Sequence, residues 1–230
     1  MITRSKVSSR ARLRTQRTVS NRIAHYAVWG KRSFDILFAL TVLVLFSPVY
    51  VIIAFLILIS SQGSIFYIHS RVGLNGREFK CIKFRTMIDG AEQVLEDYLD
   101  SCPTSRAEYE SSFKLKKDPR ITKIGKFLRT TSLDELPQFW NVLVGDMSVV
   151  GPRPLVKAEL VRYGEWIDDV LNVRPGIAGL WQVSGRNDIP YDKRVQLDAS
   201  YVKLMSLSLD IKLIISTILV VIFPKGNGAY

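Results

Sequence analysis

Residues 36–59 read ILFALTVLVLFSPVYVIIAFLILI, 24 positions without a charge. As one straight helix the run reaches about 36 Å, enough to cross a hydrocarbon core of ~30 Å. Ser47-Pro48 at its centre changes that reading. A proline inside a helix removes one i→i−4 hydrogen bond and crowds the preceding turn, so a kink is expected there. The Ser47 hydroxyl can bond back to a carbonyl that the break frees. Each arm, 36–46 and 49–59, is then only ~17 Å long, too short to span. A kinked span and a re-entrant hairpin that enters and leaves by one face both remain open. The choice decides on which side of the membrane the following 170 or so residues lie.

Charge orients the segment. The chain has 230 residues and a net charge of +11, and nine basic residues precede Asp35 with no acidic one among them. From residue 33 onward there are 23 basic against 21 acidic side chains, so the body is nearly neutral and the basicity belongs to a tail. A mitochondrial presequence, a nucleic-acid arm and the cytoplasmic flank of a membrane segment all share this composition. The tail abuts the most apolar stretch of the chain, which favours the third reading and a cytoplasmic N-terminus. A cleaved secretory signal fits poorly, because the apolar run starts late and no small-x-small site follows it.

The C-terminal run LMSLSLDIKLIISTILVVIF (204–223) is also apolar but carries Asp210 and Lys212. Both at mid-bilayer are costly, so an interfacial amphipathic helix with its charges toward water is expected. Two cysteines, Cys81 and Cys102, are too few for a disulfide framework or a zinc site and read as free thiols. His25 and His69 have no partners at metal-ligand spacing.

Between the apolar runs, SIFYIHSRVGLNGREFKCIKFRTM predicts two strands joined at Asn75-Gly76. A short helix is expected over 91–100, and a polar loop over 101–120 with Pro103 and Pro119. LVKAELVRYGEWIDDVLN and YDKRVQLDASYVKLM have helical periodicity. VRPGIAGLWQVSGRN, between them, reads as loop or short strand lining a cleft. The fold class is therefore α+β and mainly helical: a Ser-Pro-broken membrane helix and interfacial amphipathic helices around a small sheet or hairpin core. The boundaries are a basic tail (1–30), a Ser-Pro-broken membrane segment (31–60), a body that includes the C-terminal interfacial helix (61–223) and a tail (224–230).

TTSLDELPQFWNVL (130–143) sets Asp134 beside Glu135. Ser132-x-x-Glu135 has the form of a capping box, and Pro137 is tolerated in a first helical turn. Capping alone explains this stretch locally. Its surroundings add something else: Arg120, Lys123, Lys126 and Arg129 precede the pair, and Arg153 follows in GDMSVVGPRP. A helix N-terminus among guanidiniums favours phosphate. Neighbours on a helix point about 100° apart, so the two acids suit separate tasks rather than one shared proton. Phosphoryl chemistry on a lipid substrate is the expectation.

Several linked motifs then resemble the bacterial sugar transferase family, monotopic phosphoglycosyl transferases acting on polyprenyl phosphate. They are KRSFD, the apolar run with Ser47-Pro48, RVG, KFRTM, DPRITKIGKFLRTTSLDELPQFWNVLVGDMSVVGPRP and VRPGIAGLWQVSGRN, covering about residues 31–211. The resemblance implies that Asp134 is a nucleophile and that Glu135, with Asp134, helps bind Mg²⁺. It implies phosphate contacts for Arg129 and Arg153, with Arg174 and Arg186 as further candidates for the nucleotide-sugar. It implies a covalent Asp-phosphosugar, release of UMP from a UDP-sugar and transfer of hexose-1-phosphate to undecaprenyl phosphate. It also implies a re-entrant Ser47-Pro48 helix, with the catalytic domain on the cytoplasmic face of the bacterial inner membrane. No additional N-terminal membrane helices are expected, and the GAY end points toward UDP-galactose or UDP-glucose in exopolysaccharide initiation.

Several other residues read as structural: Phe139, Trp140 and Trp181 as core, Asp168-Asp169 as a solvated helix face, and Asp146 as a turn residue or a support for the arginines. The expected partners are the UDP-sugar, polyprenyl phosphate and membrane lipid, without nucleic acid. A homo-oligomer and contacts with downstream glycosyltransferases stay open. The competing readings are a non-catalytic membrane scaffold for glycan-assembly enzymes and a nucleic-acid-binding membrane protein, the latter resting on the tail alone.

Overall fold

A computed structural model describes residues 30–112, 115, 118–185 and 189–223. The tail before Gly30, Arg186 and residues 224–230 lie outside the described residues.

The apolar run forms two helices, α1 (Lys31–Leu45) and α2 (Ser47–Ser60), bent by 61° at the Ser-Pro pair. The Ser47 hydroxyl donates to the Val44 carbonyl at 2.8 Å, the acceptor that residue 48 would use in an unbroken helix. No single described helix is long and apolar enough to cross a membrane; the bent pair passes that test only jointly. One side of the pair packs inward. Ala39 joins the cluster of Val142, Met147, Val149, Val150 and Leu213, while Ile53 and Ile57 join Phe84 and Leu128. The other side leaves Leu37, Val44, Leu45, Val51, Phe55 and Ile59 exposed.

The hairpin is present as β1 (Phe66–Val72) and β2 (Glu78–Phe84), antiparallel, with Tyr67 opposite Lys83 and His69 opposite Cys81. Asn75 (φ 55°) and Gly76 (φ 73°) take successive left-handed conformations in the connecting loop, as that dipeptide favours. A second ladder pairs β3 (Ser148–Val150) in parallel with β4 (Gly176–Ala178), the short strand that is one of two expectations for that stretch. There the backbones approach so closely that a Cβ on Gly176 falls 2.0 Å from the Gly151 nitrogen.

Three expectations need correction. The 101–120 segment is not all loop, because α3 (Ala91–Ser101) is followed by α4 (Pro103–Ser112). Pro103, read as a breaker, opens that helix at its first position, where a missing N–H costs nothing. The stretch after Val156 is a 3₁₀ segment (Lys157–Trp166) leading into α7 (Ile167–Leu171), with Gly164 (φ 49°) interrupting the α-helical path. The third concerns the last helix. α5 (Lys123–Thr130), α6 (Gln138–Val144), α8 (Leu180–Val183) and α9 (Tyr191–Leu204) precede α10 (Leu207–Ile222). Lys212 is exposed on α10, but Asp210 turns inward and is fully buried. Lys31 Nζ lies 2.6 Å from Asp210 Oδ2, and the Tyr201 hydroxyl donates to Oδ1 at 2.7 Å. A buried carboxylate is tolerable when paired and hydrogen-bonded in this way.

The KRSFD motif thereby ties the start of α1 to the rest of the protein. Arg32 donates to the Val142 and Leu143 carbonyls at 2.6 and 2.9 Å, satisfying the C-terminal end of α6. Asp35 accepts from the Ser148 hydroxyl and the Val149 amide, both at 3.0 Å, and so fixes β3.

Candidate active site

Asp134 and Glu135 sit in a 3₁₀ turn (Leu133–Glu135) between α5 and α6. The capping-box expectation fails. Ser132 adopts a left-handed conformation (φ 56°) and makes no side-chain cap bond, and Pro137 occupies the N-cap position of α6. A left-handed serine is a strained backbone choice, and here it turns the chain sharply just before the acids. The Tyr50 hydroxyl of α2 donates to the Leu136 carbonyl at 2.5 Å, so α2 holds the acidic turn directly.

Glu135 is paired with a residue whose role the sequence did not reveal. Lys83 Nζ on β2 lies 2.6 Å from Glu135 Oε1, with 26 % and 28 % of the two side chains exposed. Desolvation pushes the Glu135 carboxyl up, but Lys83, then Arg153 and a hydrogen bond with Gln138, outweigh it and hold it below its ordinary range. Asp134 goes the other way. Burial and the adjacent Glu135 charge push it up to about 6, against the pull of Lys83 and Arg129. The environment thus splits two like carboxyls into a firmly ionised acid and one poised near neutrality.

Of the basic run before the dyad, Arg129 is the residue that acts on it. Lys123 and Lys126 point to solvent, and Arg120 is held by Asp118 at 2.6 and 2.8 Å. Arg129 Nε donates to the Thr86 hydroxyl at 2.9 Å. Gly125 allows that approach, since a Cβ there falls 1.9 Å from the Thr86 carbonyl oxygen. Arg153 lies 5.8 Å from the centroid of the Trp181 ring, and its charge reaches Glu135, Arg71 and Asp198. Arg174 donates through Nε to the Gly145 carbonyl at 2.8 Å, close enough to Arg32 for their charges to repel. It helps close the end of α6.

Trp181 is buried at 4 % exposure, as expected, and Phe139 packs on the core. Trp140 is not core: 53 % of it is exposed, because the short α6 turns that side outward beside the exposed Val144. Asp168 and Asp169 face solvent, and Asp146 accepts from Asn141 Nδ2 at 3.2 Å. Cys81 and Cys102 are free thiols.

Among the described residues no group of three or more His, Cys, Asp or Glu side chains could hold a metal. The dyad nonetheless offers what Mg²⁺ uses in phosphate sites: one or two carboxylates, with remaining positions left to water and substrate phosphate.

Two adjacent carboxyls of opposite pKa tendency thus sit among the charges of Lys83, Arg129 and Arg153, on a turn held by Tyr50 of the bent apolar helix pair. The bacterial sugar transferase family model matches residues 26–224, and the chain belongs to that family. It is 51 % identical over 213 residues to the UDP-galactose-lipid carrier transferase of Erwinia amylovora, covering 92 % of this chain and 44 % of that protein. It is 46 % identical over 218 residues to the undecaprenyl-phosphate galactose phosphotransferase of Salmonella typhimurium, covering 95 % of this chain and 44 % of that one. The exopolysaccharide production protein ExoY of Rhizobium meliloti is 47 % identical over 198 residues, covering 86 % and 88 % of the two chains. The chain spans less than half the length of the first two relatives.

Proposed function

We propose that this protein transfers hexose-1-phosphate from a UDP-sugar to undecaprenyl phosphate at a membrane surface, releasing UMP. The observation that carries the reading is the split dyad: Asp134 raised by burial beside a Glu135 already neutralised by Lys83. A poised carboxylate in a partly dry, cation-rich setting is a competent nucleophile toward phosphorus. Relatives named for UDP-galactose lipid-carrier and undecaprenyl-phosphate galactose transfer support the substrate pair.

In this account a carboxylate oxygen of Asp134 attacks the β-phosphorus, and the bond to the UMP oxygen breaks with its electron pair leaving on UMP. An oxygen of polyprenyl phosphate then attacks the acyl-phosphate phosphorus and returns Asp134 as carboxylate. Arg129 and Arg153 offset the phosphate charge and orient it. Lys83 keeps Glu135 ionised. Asp134 and Glu135 are the residues that would hold Mg²⁺, which supplies charge compensation for the diphosphate and the departing UMP. Arg186 stays a nucleotide-sugar candidate on resemblance alone, and Arg174 acts through the α6 end.

The same reading takes α1 and α2 as a re-entrant hairpin with the body on the cytoplasmic side. The exposed apolar face of the bent pair, its inward packing onto the catalytic core and the basic tail support that topology. α10 lies at the interface with its row of exposed Ile and Leu toward lipid. Incubating the protein with undecaprenyl phosphate in detergent and a panel of UDP-sugars tests the reaction. UMP should appear with UDP-galactose or UDP-glucose and not without the lipid acceptor at multiple turnover. UDP as the nucleotide product would replace the covalent scheme with direct glycosyl transfer.

A further inference from the structure

A buried acid away from the dyad has no role in the scheme above. Asp198, on α9, is 0 % exposed. The Tyr163 hydroxyl, from the 3₁₀ segment, donates to its Oδ2 at 2.9 Å. Its Oδ1 is buried without a hydrogen bond of normal geometry. The charge that favours its ionised form comes from Arg153, whose backbone N–H also acts on the carboxyl. Glu159, itself held by the Val156 amide at 3.0 Å and 3.9 Å from Arg71, opposes it.

The Arg153 charge is therefore felt by two carboxyls, Glu135 at the dyad and Asp198 in the core, and its backbone N–H reaches the second. Its guanidinium shares the Trp181 ring with Arg194, which lies 5.1 Å from the centroid. Two like charges at one ring repel, so the chain segment that carries Arg153 has to be held by other contacts. A core whose only purpose was packing would not keep a fully buried acid. Burial pushes Asp198 up to about 7, so the fold bears a cost for keeping it.

We infer that Asp198, oriented by Tyr163, is a positioning residue that fixes the Arg153 segment so that its guanidinium meets the diphosphate of the nucleotide-sugar. This rests on the functional reading above and extends it to a residue that makes no substrate contact. The Asp198–Tyr163 pair lies on elements separate from the dyad turn, so it can be altered without touching the nucleophile.

Asp198→Asn keeps shape and removes the charge. It should raise the KM for the UDP-sugar about tenfold, the scale of one charge-assisted contact, with the KM for undecaprenyl phosphate unchanged. Its thermal midpoint should stay level or rise, because a buried charge has been removed. Tyr163→Phe should shift the donor KM in the same direction by less. In an Arg153→Ala background, Asp198→Asn should add nothing, since both act through one guanidinium. Additive losses, or an unchanged donor KM in Asp198→Asn, would overturn the inference. If the unsubstituted protein releases no UMP, the functional reading fails by itself. UDP affinity measured by calorimetry then decides the positioning role by the same tenfold criterion.

Discussion

Lys83 Nζ and Glu135 Oε1 are 2.6 Å apart, a hairpin lysine set against the second acid of the dyad. The contact joins β2 to the turn between α5 and α6, and it makes the two adjacent carboxyls chemically unequal. Lys83→Met should leave Glu135 without its principal counter-charge. Donor turnover should then fall about 10- to 100-fold, a range discounted for the solvent that still reaches the pair. The acid limb of the rate profile should move to higher pH, because Asp134 also loses a cation that lowers it. Steady-state kinetics across pH read both effects.

The unsubstituted protein should lose activity as pH falls through about 6, where Asp134 takes up a proton and ceases to be a nucleophile. The slope should approach tenfold per unit below that point. Pre-steady-state UMP release measured between pH 5 and 8 gives the value directly.

The same shift carries a stability consequence of definite sign. The folded-state value of Asp134 lies above its ordinary value, so the fold prefers the protonated form, and stability is lost as pH rises through about 6. Asp134→Asn should therefore abolish turnover while stabilising the protein at pH 7.5 by about 2 kcal/mol, less below pH 4. Urea unfolding at the two pH values tests the difference.

Gly176→Ala should be severely destabilising, by about 3 kcal/mol or more, because its Cβ meets backbone atoms of Gly151 that cannot swing aside. Ile177→Val, beside it on β4, should cost about 1 kcal/mol. Denaturant midpoints of the two variants separate backbone collision from a small packing loss.

Topology gives a further test. A cysteine placed just before Phe34 and another near Gly63 should both escape an impermeant thiol reagent applied outside the cell. Pro48→Ala with Ser47→Ala removes the break, and labelling of one of the two positions should then appear. Outside labelling of one position in the unsubstituted helix pair would mean a span.

How much of this was legible in the sequence depends on how local the cause is. Asn75-Gly76 and the Ser47-Pro48 break are local, since a left-handed turn and a lost hydrogen bond need only neighbouring residues. Pro103 misled because proline both ends loops and opens helices, and only the following turn distinguishes the two. Asp210 faces inward against the local pattern because its partner, Lys31, lies 179 residues earlier. The Ser132 capping pattern was correct in spelling, but its φ of 56° belongs to the turn that presents the acids. Lys83 lies inside the KFRTM motif, yet only the packing of β2 against the acidic turn, 52 residues later, puts it beside Glu135.

The central claim is that Asp134 carries the phosphosugar. Mixing the purified protein with UDP-galactose or UDP-glucose in the absence of lipid acceptor, then measuring intact mass and mapping the adduct, tests it most directly. One hexose phosphate, less water, is expected on the peptide bearing Asp134, with UMP released in equal amount and neither event in Asp134→Asn. Release of UDP with the protein mass unchanged, or an adduct that survives in Asp134→Asn, would contradict it.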